Sequence, residues 1–164
     1  MFVRIDTLPI KPGLVSLVPC FYDLPYCVFL DSAIHSGKMG RYSYLTADPF
    51  IVVQSKGDCV SVTRGEVTEN FEGNPWDVLR ELLAEYSDGV PHSDIPFTGG
   101  AIGYWSYDLG RMVERMPTVA KVDYNYAEMT VGFYDWVLIQ DHQDQTLVLA
   151  TSTNNPFYSR RQRH

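Results

Sequence analysis

The chain has no uninterrupted apolar run near the ~20 residues that a membrane-spanning helix needs. Arg4, Asp6 and Lys11 break up its beginning, so the apolar core of a signal peptide is missing as well. Cysteine is scarce. Cys20, Cys27 and Cys59 are an odd set with no C-x-x-C spacing and no nearby His pair. That excludes a zinc site or a disulfide framework and leads us to expect buried or half-buried thiols in a reducing cytosol. Positive charge is also short: 13 Lys and Arg face 20 Asp and Glu, for a net charge of −7. Arg160, Arg161 and Arg163 lie in a final segment, 154–164, that holds no acid, so the rest of the chain is more negative still. An acidic body repels phosphate backbones, and no nucleic-acid partner is expected. No repeat, low-complexity tract or linker is visible, which points to one folded unit, with no membrane association and a cytoplasmic location.

With 45% apolar and 20% charged residues, the 164-residue chain has an ordinary globular composition. A chain of this length buries roughly 70% of its unfolded surface. Strand signals dominate. Tyr26–Asp31 is apolar and β-prone, and Phe50–Gln54 with Cys59–Thr63 forms a hairpin pattern through Lys56-Gly57-Asp58. Arg64-Gly65-Glu66 marks a second tight turn, into Val67–Glu69. Ala101–Tyr107 and Met129–Gln140 are longer, aromatic-rich strands, and Thr146–Thr151 follows the polar turn Asp141–Gln145.

One helix is predicted, capped by Asn74, opened by Pro75 and favoured by Asp77 in its first turn. Leu79, Leu82, Leu83 and Tyr86 make its apolar face, and Asp88-Gly89 ends it. A second short helix is expected from Ser106 or Tyr107 toward Glu114. Tyr104 and Ser106 alternate with Trp105 and Tyr107, and Phe133 and Asp135 with Tyr134 and Trp136, so bulky groups fall on both faces and both need cover. The expected class is α+β, with mainly antiparallel sheets packed as a two-layer sandwich and few helices.

The glycine cluster Gly99-Gly100-Ala101-Ile102-Gly103 is followed by Tyr104 and Trp105, not by the Lys and Ser or Thr of a phosphate loop, and its spacing fails the dinucleotide fingerprint. Close backbone approach or a bulge within a strand is the reading that fits. His35-Ser36 are adjacent, but neighbours in sequence seldom aim a base at a nucleophile. His92, His142 and His164 fall in polar or terminal segments and are expected to be solvated. Scattered Asp31, Asp48, Asp108 and Glu114 suit an acidic surface. No catalytic residue is assigned.

Leu30-Asp31-Ser32 with Arg41 and Tyr42 is the better candidate. An α-amino acid needs an anion for its ammonium, a cation or amides for its carboxylate, and an apolar slot. Asp31, Arg41 and the surrounding Leu30, Tyr42 and Tyr44 are of those types. On spacing alone the simpler account is favoured, in which Asp31 and Ser32 cap a turn and Arg41 neutralises Asp31 or Asp48.

Phe29-Leu30-Asp31-Ser32, Gly40-Arg41-Tyr42-Ser43-Tyr44-Leu45 and Ala47-Asp48-Pro49-Phe50, followed by Phe97-Thr98-Gly99-Gly100-Ala101-Ile102-Gly103-Tyr104 and Ser106-Tyr107-Asp108, resemble the amino-terminal domain of the chorismate-using synthases, component I of aminodeoxychorismate synthase and anthranilate synthase. The resemblance covers residues 1–153. It implies that Leu30, Asp31, Ser32, Arg41 and Tyr42 match a tryptophan-binding element. Asp31 stands where the anthranilate branch has Glu, and this favours the aminodeoxychorismate branch.

The family's catalytic half carries magnesium-binding glutamates and, in that branch, a lysine in a Pro-Ile-Lys-Gly-Thr type motif. None of these occurs here, so the resemblance implies no cofactor in this chain and no activity of it alone. It also implies a C-terminal catalytic domain as partner, with a glutamine amidotransferase subunit supplying ammonia. Asn154-Asn155-Pro156 reads as a helix start, with 154–164 leading toward such a domain. Two alternatives stay open: a regulatory domain of anthranilate synthase component I, and a free-standing amino-acid-binding or interaction module.

Overall fold

A computed structural model describes residues 3–9, 13–32, 40–87, 94–115 and 125–152. Among the described residues, ten strands and a few short helices make an α+β fold with two antiparallel five-stranded sheets. The chain divides into two units: Met1–Pro49 with Asp88–Gly100 and Tyr134–His164, and Phe50–Ser87 with Ala101–Phe133.

The first unit holds a sheet of β1 (Val3–Thr7), β2 (Val28–Leu30), β3 (Tyr42–Thr46), β9 (Trp136–Asp141) and β10 (Thr146–Ser152), in the order β1-β10-β9-β3-β2. Strand β9 is central and apolar at consecutive positions, as a strand covered on both faces must be. On one face Leu138 joins Leu45 and Leu147 under the short helix α1 (Leu14–Leu17) and a 3-10 turn, Val18–Phe21. On the other, Val137, Ile139 and Ala150 pack with Tyr42, Tyr44, Ile95 and Phe97. The Leu14 amide donates to Gln140 Oε1 at 2.7 Å, tying α1 to β9. Tyr134 is buried and its hydroxyl donates to the Tyr26 carbonyl at 2.9 Å; burial pushes its phenol up to about 12.

The second unit holds β4 (Ile51–Lys56), β5 (Cys59–Arg64), β6 (Val67–Glu72), β7 (Gly100–Trp105) and β8 (Met129–Tyr134), in the order β6-β5-β4-β8-β7. Both anticipated turns are present, with Gly57 at φ 56° and Gly65 at φ 61°. These backbone angles suit glycine. Helix α2 (Pro75–Ser87) starts where Asn74 Oδ1 accepts the Trp76 amide at 3.0 Å. Leu79 and Leu82 pack with Tyr86 over Val53, Val60, Val131 and Phe133. Burying each leucine contributes about 1.5–3 kcal/mol. Leu83, expected on that face, is exposed: the buried stripe turns through Trp76 and Val78 instead.

The anticipated strand Met129–Gln140 is two strands, interrupted at the buried Asp135, whose carbonyl accepts the Ser152 amide at 2.6 Å. Here the chain leaves one sheet for the other, so one continuous apolar run serves two ladders. The second short helix is a 3-10 helix, Tyr107–Met112. Of the aromatics expected to need cover, Phe133 and Tyr134 are buried, while Tyr104, Trp105 and Tyr107 are 48%, 44% and 86% exposed. Cys20 and Cys59 are also exposed and only Cys27 is half-buried, because Cys20 lies on the 3-10 turn and Cys59 opens β5 beside the hairpin turn.

The glycine cluster behaves as a close-approach device. A Cβ on Gly103 would stand 2.1 Å from the Thr130 carbonyl oxygen, while Gly99 and Gly100 take φ 129° and 131°. The proposed end of α2 at Asp88-Gly89, His35-Ser36, His92, His164 and the 154–164 helix start lie outside the described residues. Among the described residues, no helix is long and apolar enough to cross a membrane.

Candidate functional site

The candidate residues lie where β2 and β3 pair at one edge of the first sheet. Leu30 ends β2 and faces Tyr44 across the ladder. Tyr42 opens β3 and faces Asp141 on β9. Side chains alternate along a strand, so Leu30, Tyr42 and Tyr44 share one face. Leu30 is exposed, and Tyr44 meets Phe97 edge-on at 5.7 Å between ring centroids. Burial raises the Tyr44 phenol, and burial likewise raises that of Tyr42.

Asp31 turns the other way. Its carboxylate accepts a hydrogen bond from Ser43 Oγ at 2.9 Å. Ser43, wholly buried, also accepts the Ser32 amide at 3.0 Å. Ser32 Oγ in turn donates to the Tyr42 carbonyl at 2.7 Å. Asp31 and Ser32 are thus stitched to β3. Leu30 and Tyr42, by contrast, present their side chains to the opposite face of the sheet.

Arg41 does not neutralise Asp31 in this arrangement. Its Nε and one terminal nitrogen reach Asp141 Oδ2 at 2.9 and 2.6 Å, and that same terminal nitrogen reaches Asp144 Oδ2 at 2.9 Å. Its guanidinium lies 5.0 Å from the centroid of the Tyr42 ring, within cation–π range. Burial works to raise the Asp141 carboxyl. The Arg41 hydrogen bond and the amides of Asp144 and Gln143 outweigh it and hold that carboxyl below its ordinary value. The Asp141 hydrogen bond in turn raises Arg41. Arg41, Tyr42, Asp94, Asp141 and Asp144 line a cavity of about 240 Å³ with Ile95, Ile139 and Val148. This lies just under the roughly 300–1,000 Å³ common for small-molecule sites.

Four participants escaped the sequence reading: Ser43, Asp141, His142 and Asp144. Ser43 sits inside a quoted motif but lacks any charge to draw notice. His142, expected to be solvated, is half-buried and places Nε2 2.7 Å from Ser43 Oγ. Among the described residues, no group of His, Cys, Asp and Glu is arranged to hold a metal ion.

No family model matches the chain. Curated proteins do. The chain is 34% identical over 129 residues to aminodeoxychorismate synthase component 1 of Escherichia coli (strain K12), covering 78% of this chain and 28% of that protein. It is 33% identical over 135 residues to anthranilate synthase component 1 of Acetivibrio thermocellus, covering 81% and 27%. Its fold matches the crystal structure of anthranilate synthase component I from Streptococcus pneumoniae TIGR4 with a TM-score of 0.62 at 19% identity, over 96% of this chain and 34% of that one. The chain is therefore homologous to component I of these two synthases. It corresponds to an N-terminal portion, about 28% of the relatives' length. Identities of 34% and 33% do not separate the two branches.

Proposed function

We propose that this chain is the N-terminal, non-catalytic portion of a cytoplasmic component I enzyme acting on chorismate, and that it scaffolds the polypeptide carrying the chemistry. The observation that supports this most is the similarity itself: 34% identity over 78% of this chain falls within 28% of the relative. Physical support comes from Tyr104, Trp105 and Tyr107, large rings exposed on β7 and the turn after it. Tyr104 and Trp105 lie on opposite faces of this edge strand, and an edge strand with exposed rings suits contact with more protein.

In this reading the catalytic polypeptide binds magnesium and chorismate, and a glutamine amidotransferase subunit supplies ammonia. Asp31 in place of a longer Glu favours the aminodeoxychorismate branch. Replacing the matched region of the Escherichia coli enzyme with this chain is expected to leave chorismate amination intact. A folded but inactive chimera would count against the scaffold role.

Leu30, Asp31, Ser32, Arg41 and Tyr42 are, in the same reading, a tryptophan site. Leu30 and Tyr42 offer apolar surface on one face and Arg41 a cation for the carboxylate. Asp31, turned to the opposite face, offers its carboxylate to the ammonium only around the free edge of the sheet at β2. The geometry sets the terms. Asp31 is engaged by Ser43, and Arg41 by Asp141 and Asp144, so a ligand must compete with existing partners. Burying an indole against Leu30 and Tyr42 contributes a few kcal/mol, and about 4 kcal/mol corresponds to a millimolar Kd. Tryptophan titrated to about ten times that Kd is expected to shift the Leu30 and Tyr42 amide signals in NMR spectra, with Arg41→Ala abolishing the effect. Unmoved signals would remove tryptophan from this reading while leaving the scaffold role in place.

A further inference from the structure

Ser43 touches both members of the Asp31-Ser32 element and His142 together. Its hydroxyl has a single proton and two acceptor lone pairs. A carboxylate can only accept, so that proton goes to Asp31 Oδ1, 2.9 Å away. The Ser32 amide, 3.0 Å away, fills one lone pair. Only an acceptor position is left for His142 Nε2 at 2.7 Å. A ring nitrogen at that distance must then carry a hydrogen, whether the imidazole is neutral or charged.

We infer that Ser43 and His142 are positioning residues for Asp31 and Ser32, with His142 keeping its proton on Nε2 and thereby turning the Ser43 hydroxyl toward Asp31. The inference rests on reading Asp31 and Ser32 as a wall of the ligand site, but its geometry stands apart from any ligand. His142 is itself held: its amide donates to the Arg41 carbonyl at 2.8 Å, and its carbonyl accepts from Gln145 Nε2 at 2.6 Å. The turn joining β9 to β10 thus reaches across β3 and fixes the end of β2. Were the ring protonated on Nδ1 alone, Nε2 and Asp31 would compete for one hydroxyl proton. Either Asp31 Oδ1 at 2.9 Å or His142 Nε2 at 2.7 Å would then face a lone pair of Ser43 Oγ, acceptor against acceptor.

The test uses the unliganded full chain. Long-range proton–nitrogen NMR spectra, with His142 assigned by comparison with His142→Gln, are expected to show the Nε2–H form in the neutral ring. An Nδ1–H pattern would overturn the inference. In parallel, Ser43→Ala is expected to speed hydrogen exchange of the Ser32 amide by about tenfold, as loss of one hydrogen bond would. His142→Ala is expected to do so to a smaller degree, and His142→Gln, whose amide can still donate, to restore protection.

Unchanged Ser32 exchange in a folded Ser43→Ala variant would overturn the positioning role, as would His142→Gln behaving like His142→Ala. If Ser43→Ala fails to fold, the tautomer and the two His142 variants still decide. Tryptophan failing to bind while these results hold would sink the ligand reading alone.

Discussion

At the scale of single residues, the fate of Arg41 shows how a site can be half readable. Its charge at the head of β3 invites an anion, and Asp31 and Asp48 are the nearest acids in sequence. The anions it meets are Asp141 and Asp144, 100 and 103 positions away, because β3 pairs with β9 and brings the β9–β10 turn alongside. No local spacing contains that pairing.

The consequence is measurable in acid. The folded Asp141 carboxyl lies below its ordinary value, whereas in the unfolded chain it titrates near ~3.9. The unfolded state therefore takes up a proton first as pH falls. The stabilisation is fully present above ~3.9 and is lost as pH drops through the folded value. Arg41→Ala removes the main lowering influence and leaves burial, which acts in the opposite direction. Thermal unfolding midpoints of the parent are expected to fall between roughly pH 5 and pH 3, with a distinctly flatter slope in the variant. Parallel slopes would show that the ion pair contributes nothing to acid stability.

At the scale of elements, periodicity and turn chemistry succeeded where the cause is local. The Asn74 cap with Pro75, the glycines of the β4–β5–β6 meander and the hairpin turn after β9 all act within a few residues. Elements whose cause is distant were not legible. β1 exists because Val3–Thr7 pairs with β10, and α1 because Leu14 and Leu17 cover Leu45 and Leu138; neither segment carries a strong pattern alone. The break at Asp135 is of the same kind.

Gly103 lies between these cases. Its presence in a strand suggested close approach, and Thr130 and Val131 on β8 are the backbone it approaches, at 2.1 and 2.7 Å from a Cβ placed there. Gly103→Ala must push β7 off β8, and is expected to cost about 3 kcal/mol, a fall in Tm of roughly 10 °C. Gly13→Ala, whose Cβ would meet nothing nearer than 3.9 Å, serves as control and should stay within about 0.5 kcal/mol of the parent. Equal Tm for both variants would refute the close-approach account.

At the scale of the whole molecule, composition and strand patterns led to the right class, two antiparallel sheets with few helices. They could not reveal which aromatic strands would find cover. Phe133 is enclosed because β8 runs beside β4 beneath α2, whereas β7 is an edge strand that leaves Tyr104 and Trp105 exposed. Under the proposed function, these 164 residues support chemistry performed elsewhere. The most direct measurement is chorismate consumption by the purified chain supplied with ammonia and magnesium. Chorismate persisting at the rate of a protein-free control is the predicted result. Turnover that scales with the amount of chain would contradict the account, because it would place a working centre inside it.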